Sequence, residues 1–187
     1  MIAALTGTLI VCVLLFIDLL TKALAHVYLS GATPVRFLGI IGLDFPMNSG
    51  IGFGIADKNP VAMAIITPLT VVMIVAIAVA YFTLAKKNTP ARVTLAVIEA
   101  GAIGNLIDRL YFGAVRDFVY VKLILPEYIC NIADMFIVLG AIALVFIILF
   151  IGKDAAFPIT KKWRAEAKAA EAEELEEKRK RRERRKK

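Results

Sequence analysis

Ionisable and amide side chains stand inside or beside long apolar stretches of this sequence, where charged groups are costly and usually functional. Three sets have helical spacing and one aspartate stands apart: Asp18 and Lys22; Asn105, Asp108 and Arg109; Asn131 and Asp134; and Asp117. Residues three or four apart share one face of a helix. Each set is therefore expected to present its polar atoms together, and the first is expected to form an ion pair.

Helical spacing leaves two carboxylates without a specified cation. Arg109 can neutralise Asp108 or a neighbour. Asp117 and Asp134 have no such partner, because Arg116 is adjacent to Asp117 in the chain and adjacent side chains normally point apart. These two aspartates therefore have no expected ion-pair partner and are candidates for a catalytic role.

Two carboxyl groups that lie close together cannot both ionise cheaply, so they share a proton and one pKa rises. One carboxylate can then take a proton from water while its protonated partner donates to a scissile carbonyl, as in aspartic peptide hydrolysis. Asp117 and Asp134 are the candidate catalytic pair. With two cysteines and one histidine, His26, the sequence predicts neither a disulfide framework nor a zinc site.

Four apolar stretches would position these residues, at 1–25, 61–85, 93–110 and 131–152. Each is long enough to cross a hydrocarbon core of about 30 Å as a helix. Hydrophobic residues make up 59% of the 187 residues, too large a share for a soluble protein of this size. We predict an all-α membrane protein with four transmembrane helices, plus a small extracytoplasmic β-containing segment over residues 35–45 between helices one and two.

The net charge of +7 is concentrated at the end of the chain. Residues 153–187 hold 14 Lys/Arg and 8 Asp/Glu, a charge of +6, and residues 1–152 carry the remaining +1. Lys86, Lys87 and Arg92 follow the second apolar stretch, and such basic segments stay in the cytoplasm. Both termini are therefore expected to be cytoplasmic, and the rise along each helix then places the polar groups near the extracytoplasmic face.

The chain is expected to divide into a membrane domain, 1–152, and a charged cytoplasmic tail, 153–187. Residues 163–177 are rich in Ala and Glu and favour a helix, and residues 178–187 include nine basic side chains. Such a segment attracts anionic lipid on the inner leaflet, and no specific nucleic acid is expected. The alternative is a solvated, partly disordered terminus.

Five segments within residues 14–145 resemble, in order, the motifs of the lipoprotein signal peptidases (signal peptidase II). Asp18 to Lys22 resembles D-x-x-x-K, and 48–53 resembles N-x-G-A-A-F with Ile51 and Gly52 in place of the alanines. The other three are 101–109 for G-x-x-G-N-x-x-D-R, 115–118 for V-x-D-F and 131–134 for N-x-A-D.

The resemblance implies a multi-pass aspartic endopeptidase of the bacterial inner membrane that needs no metal or cofactor. Its substrate would be a diacylglyceryl-modified prolipoprotein, cut just before the lipid-modified cysteine, and membrane lipids would be further partners. It implies that Asp117 and Asp134 are catalytic. The implied supporting and substrate-binding residues are Asp18, Lys22, Asn48, Gly50, Asn105, Asp108, Arg109 and Asn131.

Two other functions remain open on the residues alone. An ion- or proton-coupled transporter would use buried charged groups as a relay, but it predicts polar groups across the whole membrane depth. In this sequence, Glu99 is the one such group expected at a different membrane depth from the others. Its side chain is expected to reach the interface or a cation of the tail. A membrane anchor that presents the basic tail would leave the polar groups unexplained.

Overall fold

The computed structural model describes residues 2–45, 60–83, 88–122, 127–151 and 155–184. The chain divides into two compact units, Met1–Ala141 and Ile142–Lys187. The helices are α1 Ile2–Leu29, α2 Pro60–Phe82, α3 Thr89–Phe112, α4 Ile132–Phe150 and α5 Lys161–Arg184. The strands are β1 Val35–Phe37, β2 Ile41–Leu43, β3 Val119–Val121 and β4 Tyr128–Cys130.

Three helices in the described part of the chain are long and apolar enough to cross a membrane, over Leu5–Leu29, Met63–Phe82 and Ile132–Phe150. Large apolar side chains such as Leu9 and Val72 are more than half exposed along them, which lipid tolerates and water does not. Helix α3 coincides with the fourth predicted stretch, but its charged side chains lower its hydropathy. The fourth span therefore remains a prediction.

Helix α3 packs against both α1 and α2 in the first unit. It begins at the N-cap Asn88, whose side chain accepts a hydrogen bond from the backbone N–H of Ala91, and it ends at Gly113, which adopts the left-handed conformation at φ 69°. A Cβ atom on Gly101 would lie 2.5 Å from the carbonyl oxygen of Ala133. The absence of a side chain there lets α3 approach the start of α4.

The four strands form one antiparallel sheet in the order β1-β2-β3-β4. Strands β1 and β2 lie in the segment 35–45 where strands were predicted. Strands β3 and β4, between α3 and α4, were not predicted, so the expectation of β structure only between helices one and two was too narrow. Three-residue strands are too short for their hydrophobic period to distinguish them from helix ends.

An apolar cluster joins the end of α1, strands β3 and β4 and the start of α4. Its buried members are Ala25, Phe118 and Val119. The His26 ring packs edge-on against Phe45 with 5.6 Å between ring centroids. This cluster holds together the ends of the elements that carry the predicted polar residues.

The second unit contains the end of α4 and the tail helix α5. After α4 the chain turns back on that helix, and the N–H of Phe157 donates to the carbonyl of Leu149 at 2.7 Å. Helix α5 includes the predicted helical segment 163–177, and Glu174 forms an ion pair with Lys178, four residues further along the helix, at 2.6 Å. The predicted division at residues 152 and 153 stays a prediction.

Candidate active site

Polar side chains from α1, α3, the connection before β3 and the start of α4 meet in one group, called here the polar cluster. Its members are Asp18, Lys22, Asn105, Asp108, Arg109, Arg116, Asp117, Asn131 and Asp134. All but Arg116 were predicted as site residues from the sequence. Asn48 and Gly50, also predicted, lie outside the described residues.

The Lys22 ammonium group lies at the centre of the cluster and has no exposed surface. Its Nζ donates to Asp18 Oδ2 at 2.8 Å and to Asn105 Oδ1 at 2.9 Å. Asp108 Oδ2 lies 3.7 Å from the same nitrogen. The expected pair of Asp18 and Lys22 is therefore present, and it joins α1 to α3. A buried cation persists only with such pairing, because removal from water costs several kcal/mol.

Asp18 also binds the start of α4. Its Oδ1 accepts a hydrogen bond of 2.9 Å from the backbone N–H of Ala133, one of the first-turn donors that have no partner within the helix. A carboxylate at this end is further favoured by the helix dipole. Gly104 faces the other oxygen of Asp18, and a Cβ atom there would clash with it. The glycine therefore makes room for the carboxylate between two helices.

Asn131 and Asp134 form a reciprocal cap at the start of α4. Asn131 Oδ1 accepts from the backbone N–H of Asp134 at 3.0 Å, and Asp134 Oδ2 accepts from the backbone N–H of Asn131 at 3.1 Å. This is the geometry of a capping box, in which two first-turn donors are satisfied at once. The three-residue spacing in the sequence thus has a structural cause, and it leaves the Asn131 amide nitrogen available for other contacts.

Two amide side chains connect the candidate catalytic carboxyl groups. Asn131 Nδ2 donates to Asp117 Oδ1 at 2.6 Å and to Asn105 Oδ1 at 3.2 Å. Asn105 Nδ2 donates to Asp134 Oδ1 at 2.8 Å. The structure therefore brings Asp117 and Asp134 to the two ends of one short hydrogen-bonded path.

The β3–β4 hairpin places Asp117 beside Asn131. The N–H of Phe118, which follows Asp117, donates at 2.9 Å to the carbonyl of Cys130, which precedes Asn131. Strands β3 and β4 continue this pairing. The proximity of the two residues thus depends on backbone pairing that sequence spacing did not reveal.

The environment of Asp117 favours its protonated form. The residue is 3% exposed. Burial raises the pKa of its carboxyl group to about 7, with the charge of Asp134 as the second cause and that of Asp108 as a smaller one, against the hydrogen bond from Asn131 and the charge of Lys22. The two candidate carboxyl groups are therefore electrostatically coupled. Asp134 is the more exposed of the two.

Cys130 has the opposite character to a catalytic nucleophile. Burial raises the pKa of its thiol to about 11, and the charges of Asp134 and Asp117 act in the same direction. A thiol is reactive only as the thiolate. Its position beside the polar cluster therefore does not offer a cysteine mechanism.

Asp108 is paired with Arg116, whereas the sequence offered Arg109 as a cation for Asp108 or a neighbour. Arg116 Nη2 lies 2.7 Å from Asp108 Oδ1. Neighbours on a helix point in different directions, whereas the chain turns back after Gly113 and returns Arg116 to the end of α3. The charge of Arg109 acts on Asp134, Asp117 and Asp108, and its Nε is buried without a hydrogen-bond partner in the described structure.

Glu99 lies apart from the polar cluster. It lines a cavity of about 180 Å³ between α1, α2 and α3, together with Gly7, Ala78 and Tyr81. The cavity lies toward the start of α1, whereas the cluster contacts its later turns. Within α1 and α3, the polar cluster is thus confined to the later turns, and Glu99 lies outside it.

Comparison with protein families and curated proteins gives a consistent match. A family model described as signal peptidase (SPase) II matches residues 10–150. A lipoprotein signal peptidase of Caldanaerobacter subterraneus is 37% identical over 147 residues, which cover 76% of this chain and 95% of that protein. A lipoprotein signal peptidase of Clostridioides difficile is 31% identical over 143 residues, covering 76% and 93%.

Two solved structures, each described as a bacterial membrane enzyme determined by the in meso method, share this fold. The structure at 1.9 Å resolution has a TM-score of 0.65 and 23% identity and covers 77% of this chain and 92% of its own. The structure at 2.3 Å has a TM-score of 0.63 and 24% identity, with coverage of 75% and 85%. At this identity the likeness establishes the fold of the chain.

Proposed function

The chain belongs to the signal peptidase II family, and we propose that it is a membrane-embedded aspartic endopeptidase acting on bacterial prolipoproteins. It removes the signal peptide from a diacylglyceryl-modified precursor by cutting just before the lipid-modified cysteine. Processing of prolipoproteins by a peptidase follows from the family. The aspartic mechanism and the position of the cut are the proposed part.

One observation carries the mechanism: Asp117 and Asp134 lie at the ends of the path formed by Asn131 and Asn105. The amides bind one oxygen of each carboxyl group and fix the direction of both. The fixed directions and the effect of the Asp134 charge on Asp117 support the proposal that the two carboxyl groups act as a pair.

The charge balance of the polar cluster supports a single shared proton. Among its members, all in the described part of the chain, are four carboxyl groups and three cations, so one added proton makes the cluster neutral. We assign this proton to Asp117, whose pKa lies at about 7. Asp134 accepts hydrogen bonds from Asn105 and from the backbone of Asn131, and it is the ionised partner in this proposal.

In the proposed reaction, ionised Asp134 takes a proton from a water molecule, and the water oxygen attacks the scissile carbonyl carbon. Asp117 donates its proton to the carbonyl oxygen, which gives a neutral tetrahedral diol. Asp134 then transfers its new proton to the amide nitrogen as the C–N bond breaks, and Asp117 recovers a proton from the remaining hydroxyl group. Both carboxyl groups return to their starting states.

The other residues of the polar cluster hold Asp117 and Asp134 in place through hydrogen bonds and ion pairs. Lys22 and Asp18 fix α1 against α3 and α4, and Asn105 orients Asp134. We include Asn48 and Gly50 as substrate-binding residues on the strength of the family resemblance alone.

We further propose that α3 forms a fourth span and that both termini are cytoplasmic in the inner membrane. The charge distribution supports this orientation, which puts the polar cluster near the extracytoplasmic face. The lipid-modified precursor then reaches the cluster sideways from the bilayer. The basic end of α5 would contact anionic lipid on the cytoplasmic side.

The test uses the full chain in detergent or liposomes with a diacylglyceryl-modified precursor peptide, cleavage being followed by mass spectrometry. Asp117→Asn and Asp134→Asn should each lower the rate by at least about 10³-fold, because each removes a proton-transfer group. Glu127→Gln is the matched control, since Glu127 is an exposed carboxylate paired with Lys122 at 2.7 Å. Efficient cleavage by either aspartate variant would exclude the mechanism.

A further inference from the structure

Arg116 holds Asp108 by both its side chain and its backbone. Its Nη2 donates to Asp108 Oδ1 at 2.7 Å, and its Nε lies 3.2 and 3.3 Å from the two carboxylate oxygens. Its backbone N–H donates to Asp108 Oδ2 at 2.9 Å. The guanidinium also lies 4.4 Å from the centre of the Phe112 ring. Arg116, the residue immediately before Asp117, is therefore bound to the end of α3.

The family motifs do not specify this contact. Arg116 occupies the variable position of the V-x-D-F segment, and the sequence predicted only that its side chain would point away from that of its neighbour Asp117. The side chain does avoid Asp117, but it does so by binding Asp108, which is fully buried. The contact between Arg116 and Asp108 is thus a feature of this chain that the family motifs do not predict.

We propose that Arg116 is a positioning residue, which fixes the direction of Asp117 by binding the segment before it to Asp108 and which neutralises Asp108 beside the reacting carboxyl groups. This inference rests on the proposed function of Asp117. It concerns how the carboxyl group is held and not whether that group reacts.

Two physical effects follow from this geometry. The paired contacts of an arginine with a carboxylate restrict direction as well as distance. A displacement of about 1 Å of a reacting group costs about 10²-fold in rate. The charge effect is separate, because an Asp108 left with only the Lys22 ammonium at 3.7 Å would make ionisation of Asp117 still harder.

Other charged groups also act on Asp117, and they set the background for the test. They are Asp134 from α4, Lys22 from α1 and Arg109 from α3, while Asn131 donates the hydrogen bond. The thiol of Cys130 from β4 also senses its charge. The hydrogen bonds and the ion pair of Arg116 described here all join it to Asp108, so a change at Arg116 reaches Asp117 through Asp108 and the backbone.

The experiment compares Arg116→Met with Arg116→Lys in the full chain. Arg116→Met should lower kcat by about 10- to 100-fold with KM within about two-fold, and it should move the alkaline limb of the pH profile upward by about one pH unit. Arg116→Lys keeps the charge and loses the paired geometry. It should retain the wild-type pH profile with an intermediate kcat.

A second measurement does not depend on cleavage. Infrared difference spectra follow the carboxyl band that Asp117→Asn removes, and its titration midpoint should rise in Arg116→Met and stay near the wild-type value in Arg116→Lys. The double variant Asp108→Asn, Arg116→Met leaves no buried unpaired charge at this position. It should fold and should return the midpoint toward the wild-type value.

Lys122→Met is the matched control, since it removes an ion pair of the same 2.7 Å length from the same connection, on the exposed side. An unchanged kcat and an unchanged infrared midpoint in Arg116→Met would overturn the inference. A shifted midpoint in a chain whose wild-type form does not cleave the precursor would support the role of Arg116 and would refute the proposed function.

Discussion

Asn131 Nδ2 lies 2.6 Å from Oδ1 of Asp117, across 14 positions of the chain. The Oδ1 atom of the same asparagine accepts the backbone N–H of Asp134 and thereby caps α4. One side chain therefore has two separable tasks: its oxygen begins a helix, and its nitrogen orients a candidate catalytic carboxyl group.

Substitutions at Asn131 should separate these tasks. Ser is a good N-cap residue but has no amide nitrogen, so Asn131→Ser should keep most of the thermal stability and lose about 10- to 100-fold in cleavage rate. Asn131→Ala should lose the same activity and, in addition, about 1 kcal/mol of stability from the missing cap. Thermal melts and cleavage rates of both variants test this.

Equal stability of the Ser and Ala variants would show that the cap contributes nothing. Wild-type cleavage by Asn131→Ser would show that the contact with Asp117 is not needed.

The raised pKa of Asp117 predicts how stability and activity depend on pH. Its carboxyl group has a pKa of about 7 in the folded chain, against 3.8 for an aspartate that is free in water, so the folded state holds the proton more tightly. The stabilisation from this group is complete below about pH 4 and is lost as the pH rises through about 7. Cleavage should also fall through about pH 7, as the proposed acid loses its proton.

Asp117→Asn removes this titration. Above pH 7 the variant should be more stable than the wild type by on the order of a few kcal/mol, and at pH 4 the difference should vanish. Thermal melts across this range measure the effect, and Glu127→Gln serves as an exposed control. Parallel stability profiles for wild type and Asp117→Asn would contradict the assigned pKa.

Gly104 is expected to be essential because it makes room for Asp18. A Cβ atom at this position would clash with Asp18 Oδ2, which would move the carboxylate away from Lys22 and from the start of α4. Gly104→Ala should therefore reduce both cleavage and thermal stability. The rate should fall by about 10²-fold, as for other displacements of about 1 Å in an active site.

Gly140→Ala is the matched control, at a close contact of α4 with α3. Its Cβ atom would lie 2.6 Å from Cγ1 of Ile98, an apolar side chain remote from the polar cluster. This variant should lose about 1–3 kcal/mol of stability through overpacking and should keep its activity per folded molecule. If both glycine variants lost activity alike, the role of Gly104 would be general packing.

The sequence was sufficient for the helices and for most of the polar cluster. Long apolar runs have few alternatives to a helix in lipid, because every backbone group must be satisfied within the segment. The spacing of Asp18 with Lys22 predicted an ion pair that the structure contains. Asn105 and Asp108 could be predicted as site residues from the sequence, because polar side chains in an apolar stretch cost free energy and are usually functional.

The sequence was insufficient where contacts depend on the direction of connecting segments. Strands β3 and β4 have three residues each, and their pairing is decided by neighbours and not by local pattern. The ion pair of Asp108 with Arg116 was not predicted, because Arg116 returns to Asp108 only after the turn at Gly113. In both cases, segments that are separate in the sequence come into contact only when the chain turns back on itself. Local sequence patterns do not report such contacts.

Taken by itself, the amino-acid sequence determined which groups must be withdrawn from lipid and at what level along the helices they lie, since both follow from side-chain type and rise per residue. Tertiary structure alone decided that Asn131 would join Asp117 to Asn105, and that Arg116 would hold Asp108. Such hydrogen bonds act over about 3 Å and in fixed directions. Only the folded backbone, through the hairpin and the close approach at Gly104, supplies that precision.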